Sequence, residues 1–196
     1  MKEEPDLLVG LDLGTTKVAV VVAEMDARSG EAQIIGVGEA PSLGIRKGMI
    51  VNLDQATRSI QAAVEDAESM VGLGIEEVTV AFSGAEATSV RTRGMISLGR
   101  SARQVSLDDV DRIIEAAQSE IAVPVNRCIL HTIPVEYTLD GHSGIDDPLD
   151  MTGVRLEVEL QSIIVPSAVI QNVVNCVGKA GLAVSGLVMK PLASSL

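Results

Sequence analysis

The chain has 196 residues, of which 46% are apolar and 21% charged, with a net charge of −12 and two aromatic side chains, Phe82 and Tyr137. That length suits one large domain or two small ones with a core of ordinary size, built from Val, Ile, Leu, Ala and Met. The acidity argues against nucleic acid or an anionic membrane surface as a partner of this segment, and the scarcity of aromatics leaves no stacking platform for bases.

Leu7 to Ala23 (LLVGLDLGTTKVAVVVA) reads as an apolar strand over 7–13, a tight turn Asp12-Leu13-Gly14-Thr15-Thr16-Lys17, and a second strand over 17–23. Val18, Val20 and Val22 alternate with Ala19, Val21 and Ala23, the pattern of a strand buried on both faces. A turn at 25–32 leads to a third strand, Gln33 to Ala40, giving a β-meander. A loop at 41–48 carries Arg46 and Lys47. Asn52, with Gln55 three places on, caps a helix over 53–71 whose apolar face is Leu53, Ala56, Ile60, Ala63, Val64, Ala67, Met70 and Val71. Gly72 and Gly74 end it. Val78 to Phe82 is a short buried strand closed by Ser83-Gly84.

The texture changes at about Ala85. The chain is polar and basic to Gly99, with Arg91, Arg93 and Arg100 close together. Ser106 caps a helix over about 107–122, with Asp108, Asp109 and Asp111 in its first turn, where the helix dipole favours acids. Pro124 stops it. Arg127 to Leu139 is a long strand in which Pro134 implies an edge or a bulge. Asp140 to Asp150 is a loop rich in Asp and Gly. Gly153 to Val165 is a strand with Val154, Leu156, Val158 and Leu160 on one side and Arg155, Glu157, Glu159 and Gln161 on a solvated one. Pro166-Ser167 opens a helix to about Ala180 whose face is Val169, Ile170, Val173, Val174 and Val177. A final strand over 182–189, with a possible bulge at Gly186, precedes a helix start at Pro191. The expected fold is α/β with an inserted α+β segment near 85–163.

The turn carries the chemistry. A phosphate needs inward-pointing N–H groups, which Gly14 can supply through its backbone angles, with hydroxyl donors at Thr15 and Thr16 and a mobile cation at Lys17. Asp12 could hold Mg²⁺ directly or through water. This is not a Walker A loop, because the GxxxxGK[ST] spacing and the following helix are lacking. Asp, Gly and Thr are also common in ordinary hairpin turns, so the motif alone fits either role. No general base stands out anywhere in the chain. Glu65, Asp66 and Glu68 on the first helix, and Asp146, Asp147 and Asp150 in the loop, read as solvated surface. Cys128 and Cys176 read as buried free thiols, and His131 and His142 lack ligand-like neighbours. MKEEPD at the start has no apolar signal region, so a reducing cytoplasm is the expected compartment.

LDLGTTK followed by VAVVVAE resembles the first phosphate motif of the actin, Hsp70 and sugar-kinase superfamily. IIGVGEAPSLGIRKGMIVNLDQATRSIQAAVEDAE, VTVAFSGAEATS, RCILHTIPVEYTLDG, GIDDPLDMTGVRLEVEL and GLVMKPLASSL are similar, in the same order, to the bacterial FtsA cell-division family. The resemblance implies an actin-like (ribonuclease H-like) subdomain 1A over 1–84 and 164–196, with an inserted FtsA-type subdomain 1C (SHS2-like) over 85–163. It implies an ATP-binding scaffold that polymerises, tethers the tubulin-like FtsZ ring to the cytoplasmic face of the cell membrane at the septum, and recruits later division proteins through 85–163. Gly14, Thr15, Thr16 and Lys17 would contact the ATP phosphates, with Asp12 near Mg²⁺. The chain is expected to be an N-terminal part: a second phosphate motif, the adenosine segment, the FtsZ-binding subdomain and a C-terminal amphipathic membrane helix would follow Leu196. ATP binding by this part alone is therefore expected to be weak or absent, and no ATPase activity is expected of it. The alternatives are a small-molecule kinase of the superfamily and an actin-like adaptor of type IV pilus assembly.

Overall fold

The computed structural model describes residues 7–26, 30–84 and 86–194. Residues 1–6, the turn positions 27–29, Ala85 and positions 195–196 lie outside the described residues, and with them the expectations for the N-terminal stretch, part of the second turn and the point of texture change. In chain order the elements are β1 (Leu7–Leu13), β2 (Lys17–Met25), β3 (Ala32–Pro41), β4 (Ile45–Arg46), β5 (Met49–Ile50), α1 (Leu53–Val71), β6 (Glu77–Phe82), β7 (Thr88–Ser97), β8 (Arg103–Gln104), α2 (Leu107–Ser119), β9 (Arg127–Leu139), β10 (His142–Ile145), β11 (Thr152–Gly153), β12 (Arg155–Pro166), α3 (Ser167–Lys179), β13 (Ala183–Met189) and α4 (Lys190–Ala193). They divide into two compact units, Met1–Ala85 with Ser167–Leu196, and Glu86–Pro166. The fold is mixed α/β with an inserted α+β unit.

The first unit is a five-stranded sheet in the order β13-β6-β1-β2-β3. β1, β2 and β3 pair antiparallel as a meander, whereas β6 and β13 run parallel to β1. Asn52 caps α1 by accepting from the Gln55 amide at 3.0 Å, and Gly72 ends it at φ 71°. α1 lies so close to β3 that a Cβ on Gly38 would overlap the Ala63 carbonyl oxygen and the Ala67 amide, and one on Gly36 would overlap Val71. α3 reaches α1 through the Thr57 hydroxyl, 3.4 Å from the Cys176 carbonyl. Both helices cover the face that holds Leu11, Leu13, Val18, Val20, Val22, Val78, Val80 and Phe82. β2 is therefore buried on one face and not on two: Val21 is 36% exposed and Leu8, on the same face, 50%. Met70, expected on the apolar face of α1, is exposed. In this unit two acids expected to be only solvated hold backbone amides, Glu68 from Ile75 at 2.7 Å and Asp66 from Glu39 at 3.0 Å. Cys176 is buried, while Cys128 is half-buried.

The second unit is an antiparallel sheet, β10-β9-β12-β7, with α2 on one face. Its core is Leu98, Val105, Ile113, Ala117, Tyr137, Leu139, Leu156, Val158 and Leu160. β7 replaces the segment read as merely polar. Its inward positions are Val90, Thr92, Gly94 and Ile96, so a threonine and a glycine break the apolar alternation. Gly94 is required because a Cβ there would stand 2.7 Å from the Ala117 Cβ. On the outer face Glu159 holds Arg91 at 3.0 Å and Arg93 at 2.8 Å. Pro134 sits at a bulge, where the register with β12 slips past Val135. The Asp-Gly-rich loop instead opens as a hairpin: Asp140 and Gly141, at φ 50° and 87°, turn β9 into β10, as an Asp-Gly pair does in a tight hairpin. α2 ends at Ser119, three residues before its expected limit, although Ile121 stays buried. Among the described residues no helix is long and apolar enough to cross a membrane.

Asp109, expected as a first-turn acid, is also the buried anchor of this unit, at 1% side-chain exposure. It accepts from Arg103 at 2.6 and 2.7 Å, from the Ser106 amide at 3.0 Å and from the Ser106 hydroxyl at 2.7 Å, closing a capping box. The Arg103 guanidinium, aided by Ser106, holds its carboxyl well below the usual carboxylate range against the opposing effect of burial. A depressed folded-state pKa gives stability that is present above the unfolded value, near pH 4, and is lost as the pH falls further. Asp109→Asn should cost the second unit about 2 kcal/mol in urea unfolding at neutral pH and flatten its acid limb below about pH 4. An unchanged acid limb would show that Asp109 does not carry it. In the first unit Gly38→Ala should cost about 1–3 kcal/mol by overpacking, whereas Gly10→Ala, where a Cβ meets nothing within 4 Å, should stay within about 0.5 kcal/mol of the parent. Equal effects at the two positions would contradict the helix–sheet approach described here.

Candidate functional site

The last rungs of the parallel strands align. Leu13 pairs with Phe82, and Phe82 with Met189. The chain therefore leaves the sheet at one edge at Gly14, Ser83 and Lys190. In open α/β sheets, ligands bind outside the carboxyl ends of such strands.

Gly14, Thr15 and Thr16 form the tip between β1 and β2. Gly14 is buried and the two threonines are exposed. Gly14 does not use the left-handed backbone region. It is needed for space, because a Cβ would overlap the carbonyl oxygen of Lys17. The loop after β3 is tied to this tip. The Ser42 hydroxyl donates to the Gly14 carbonyl at 2.7 Å, the Ser42 amide to the Thr16 carbonyl at 3.1 Å, and the Gly48 amide to Thr15 Oγ1 at 3.4 Å. Gly48, at φ 76°, packs where a Cβ would meet Ser83 at 2.7 Å, and Gly84, at φ 62°, packs against Met189.

Two ion pairs organise the charge. Lys17 pairs with Glu39 on β3, with both side chains about half exposed. Lys190 Nζ stands 2.5 Å from Asp12 Oδ1, at side-chain exposures of 27% and 47%. Asp12, Ala19 and Glu39 share one row across β1, β2 and β3, so both carboxylates lie on the same sheet face. The structure thus gathers Asp12, Gly14, Thr15 and Thr16 at one edge and turns Lys17 toward Glu39. Ser42, Gly48, Ser83 and Lys190 went unread in the sequence as partners of the tip. They are distant along the chain, and only the strand order brings them together.

The donor set fits an oxyanion of several charges. Exposed lysine–carboxylate pairs are each worth about 0–1 kcal/mol, so a phosphate group, which forms stronger charge-assisted bonds, can draw either lysine away. It also fits a hydrated Mg²⁺. Among the described residues no group of three or more His, Cys, Asp or Glu side chains is gathered for a metal. A cation at Asp12 would have one protein carboxylate and keep several waters, the mode Mg²⁺ uses beside phosphates.

Comparison with known proteins adds the lineage. A family model described as the SHS2 domain inserted in FTSA matches residues 84–164. The cell division protein FtsA of Borreliella burgdorferi is 41% identical over 190 residues, covering 97% of this chain and 46% of the relative. Those of Pseudomonas aeruginosa and Bacillus subtilis are 35% and 37% identical over 189 residues, covering 96% of this chain and 44% and 42% of theirs. Among solved structures, a PilM-PilN type IV pilus biogenesis complex matches with a TM-score of 0.60 at 15% identity, over 95% of this chain and 48% of that one, a likeness of fold. The chain spans about half the length of the curated relatives it matches. With identity of this level running from the β1–β2 hairpin to the last strand, and the inserted SHS2 domain in its place, the chain belongs to the FtsA family of cell-division proteins.

Proposed function

We propose that this chain is the phosphate-gripping and insertion-bearing part of an actin-like scaffold of bacterial cell division. The first unit serves as subdomain 1A, the nucleotide-binding half. The second serves as subdomain 1C, a surface for filament contacts and for later division proteins. The whole scaffold binds ATP, polymerises and ties the FtsZ ring to the cytoplasmic face of the membrane. FtsZ and membrane contacts fall to portions of the longer relatives that this chain does not match.

The observation that carries this reading is the convergence at one sheet edge of a glycine-tight turn, two exposed threonine hydroxyls and two lysines on exchangeable carboxylate partners, in a chain of the FtsA family. Thr15, Thr16 and the backbone at Gly14 donate to phosphate oxygens. Lys17 leaves Glu39 for them. Asp12 would hold Mg²⁺ through water. When bound, ATP with Mg²⁺ supplies the charge around which these groups close. In this reading the chain is a binding element, and hydrolysis would need a further group to position the attacking water. A kinase or a pilus adaptor is not favoured beside 35–41% identity to proteins named for cell division.

Calorimetry on this chain should give weak but measurable ATP binding in the millimolar range, about −4 kcal/mol, and Lys17→Ala should weaken it roughly fivefold through the lost charge-assisted bond. Equal affinity in the two proteins would remove Lys17 from the site. Phosphate release with Mg-ATP should stay at the blank rate.

A further inference from the structure

Lys190 lies outside the motif at residues 12–17, yet it is built into the same edge. It is the first residue after β13, and Pro191 fixes the backbone beside it. Its side chain is partly buried, at 27% exposure. Its ammonium touches Asp12 Oδ1 at 2.5 Å and lies 3.6 Å from where a Cβ on Gly14 would stand. It therefore spans the distance from the carboxylate to the backbone that faces an incoming anion.

Asp12 poses a problem for that anion. A carboxylate close to a phosphate oxygen repels it, and more strongly at a protein surface than in bulk water. Something must neutralise Asp12 before a polyphosphate can approach. Lys190 is already placed to do so.

We propose that Lys190 is a built-in counter-cation of the phosphate site: it neutralises Asp12 when no divalent ion is present and so lets the site accept a polyphosphate in metal-free form. This rests on the assignment of residues 12–17 to phosphate binding. With Mg²⁺ present, Asp12 would hold the hydrated ion in place of Lys190, whose ammonium would then be free to reach the phosphate oxygens. Lys190 is a positioning and binding residue in this scheme and has no part in bond breaking.

The test is ATP binding by NMR titration, which detects millimolar affinities, in EDTA and in excess Mg²⁺. Lys190→Met keeps the buried stem and removes the charge. It should lose roughly tenfold in affinity for metal-free ATP and less than about twofold for Mg-ATP. Lys190→Arg should keep most of the metal-free affinity. Adding Asp12→Asn to Lys190→Met should restore most of it, because the repelling carboxylate is gone. Equal losses in both conditions, or no recovery with Asp12→Asn, would overturn the proposal. If the parent binds ATP and Lys190→Met changes nothing, this inference alone fails. If the parent binds no ATP in either condition, the phosphate site fails and the inference with it.

Discussion

Three parallel strands ending on one rung, Leu13 beside Phe82 beside Met189, constrain everything else at this end of the molecule. Because β1, β6 and β13 stop together, three turns distant in sequence leave the sheet side by side. The turns need room. Gly14 yields to the Lys17 carbonyl, Gly48 to Ser83 and Gly84 to Met189. Backbone groups and short hydroxyls thus crowd one edge, with Lys17 and Lys190 as its cations. The same edge would be impassable with larger residues at those glycines, whatever the strand order.

A second set of glycines sets the packing of each unit. Gly36 and Gly38 let α1 settle on β3, and Gly94 lets α2 settle on β7. The helices approach until backbone meets backbone, which small aliphatic side chains such as Ala63, Ala67 and Ala117 permit. A chain with two aromatic residues builds its cores in this way, by close approach of elements and not by bulk. The second unit adds a buried charge, Asp109, whose removal would leave Arg103 and the start of α2 without their common acceptor.

Much of this was legible from residue patterns. The bounds of α1 follow from Asn52, the helical spacing and Gly72, and the structure reproduces them. Pro134 and Gly186 both mark real bulges. What the pattern hid has physical causes. β7 escaped notice because Thr92 and Gly94 occupy inward positions. The Asp140–Gly141 hairpin was lost among other loop residues. β2 looked doubly buried because alanine and valine suit either face, and only the position of the helices decides which is covered. At the site, the contiguous residues Asp12 to Lys17 were readable as a unit, while Lys190, Ser42 and Gly48 were not. Nothing local in MKPLASSL points a lysine at an aspartate far earlier in the chain; the sheet order does.

The central claim is that the carboxyl edge of β1, β6 and β13 is where this chain meets phosphate. The most direct measurement is an amide NMR map of the protein titrated with inorganic tripolyphosphate, which carries the charge without the adenosine. The account predicts that the largest shifts fall on Gly14 to Lys17, with smaller ones at Gly48, Ser83, Gly84 and Lys190. Shifts absent from this edge, or confined to Arg91, Arg93 and Arg155 on the second unit, would contradict it.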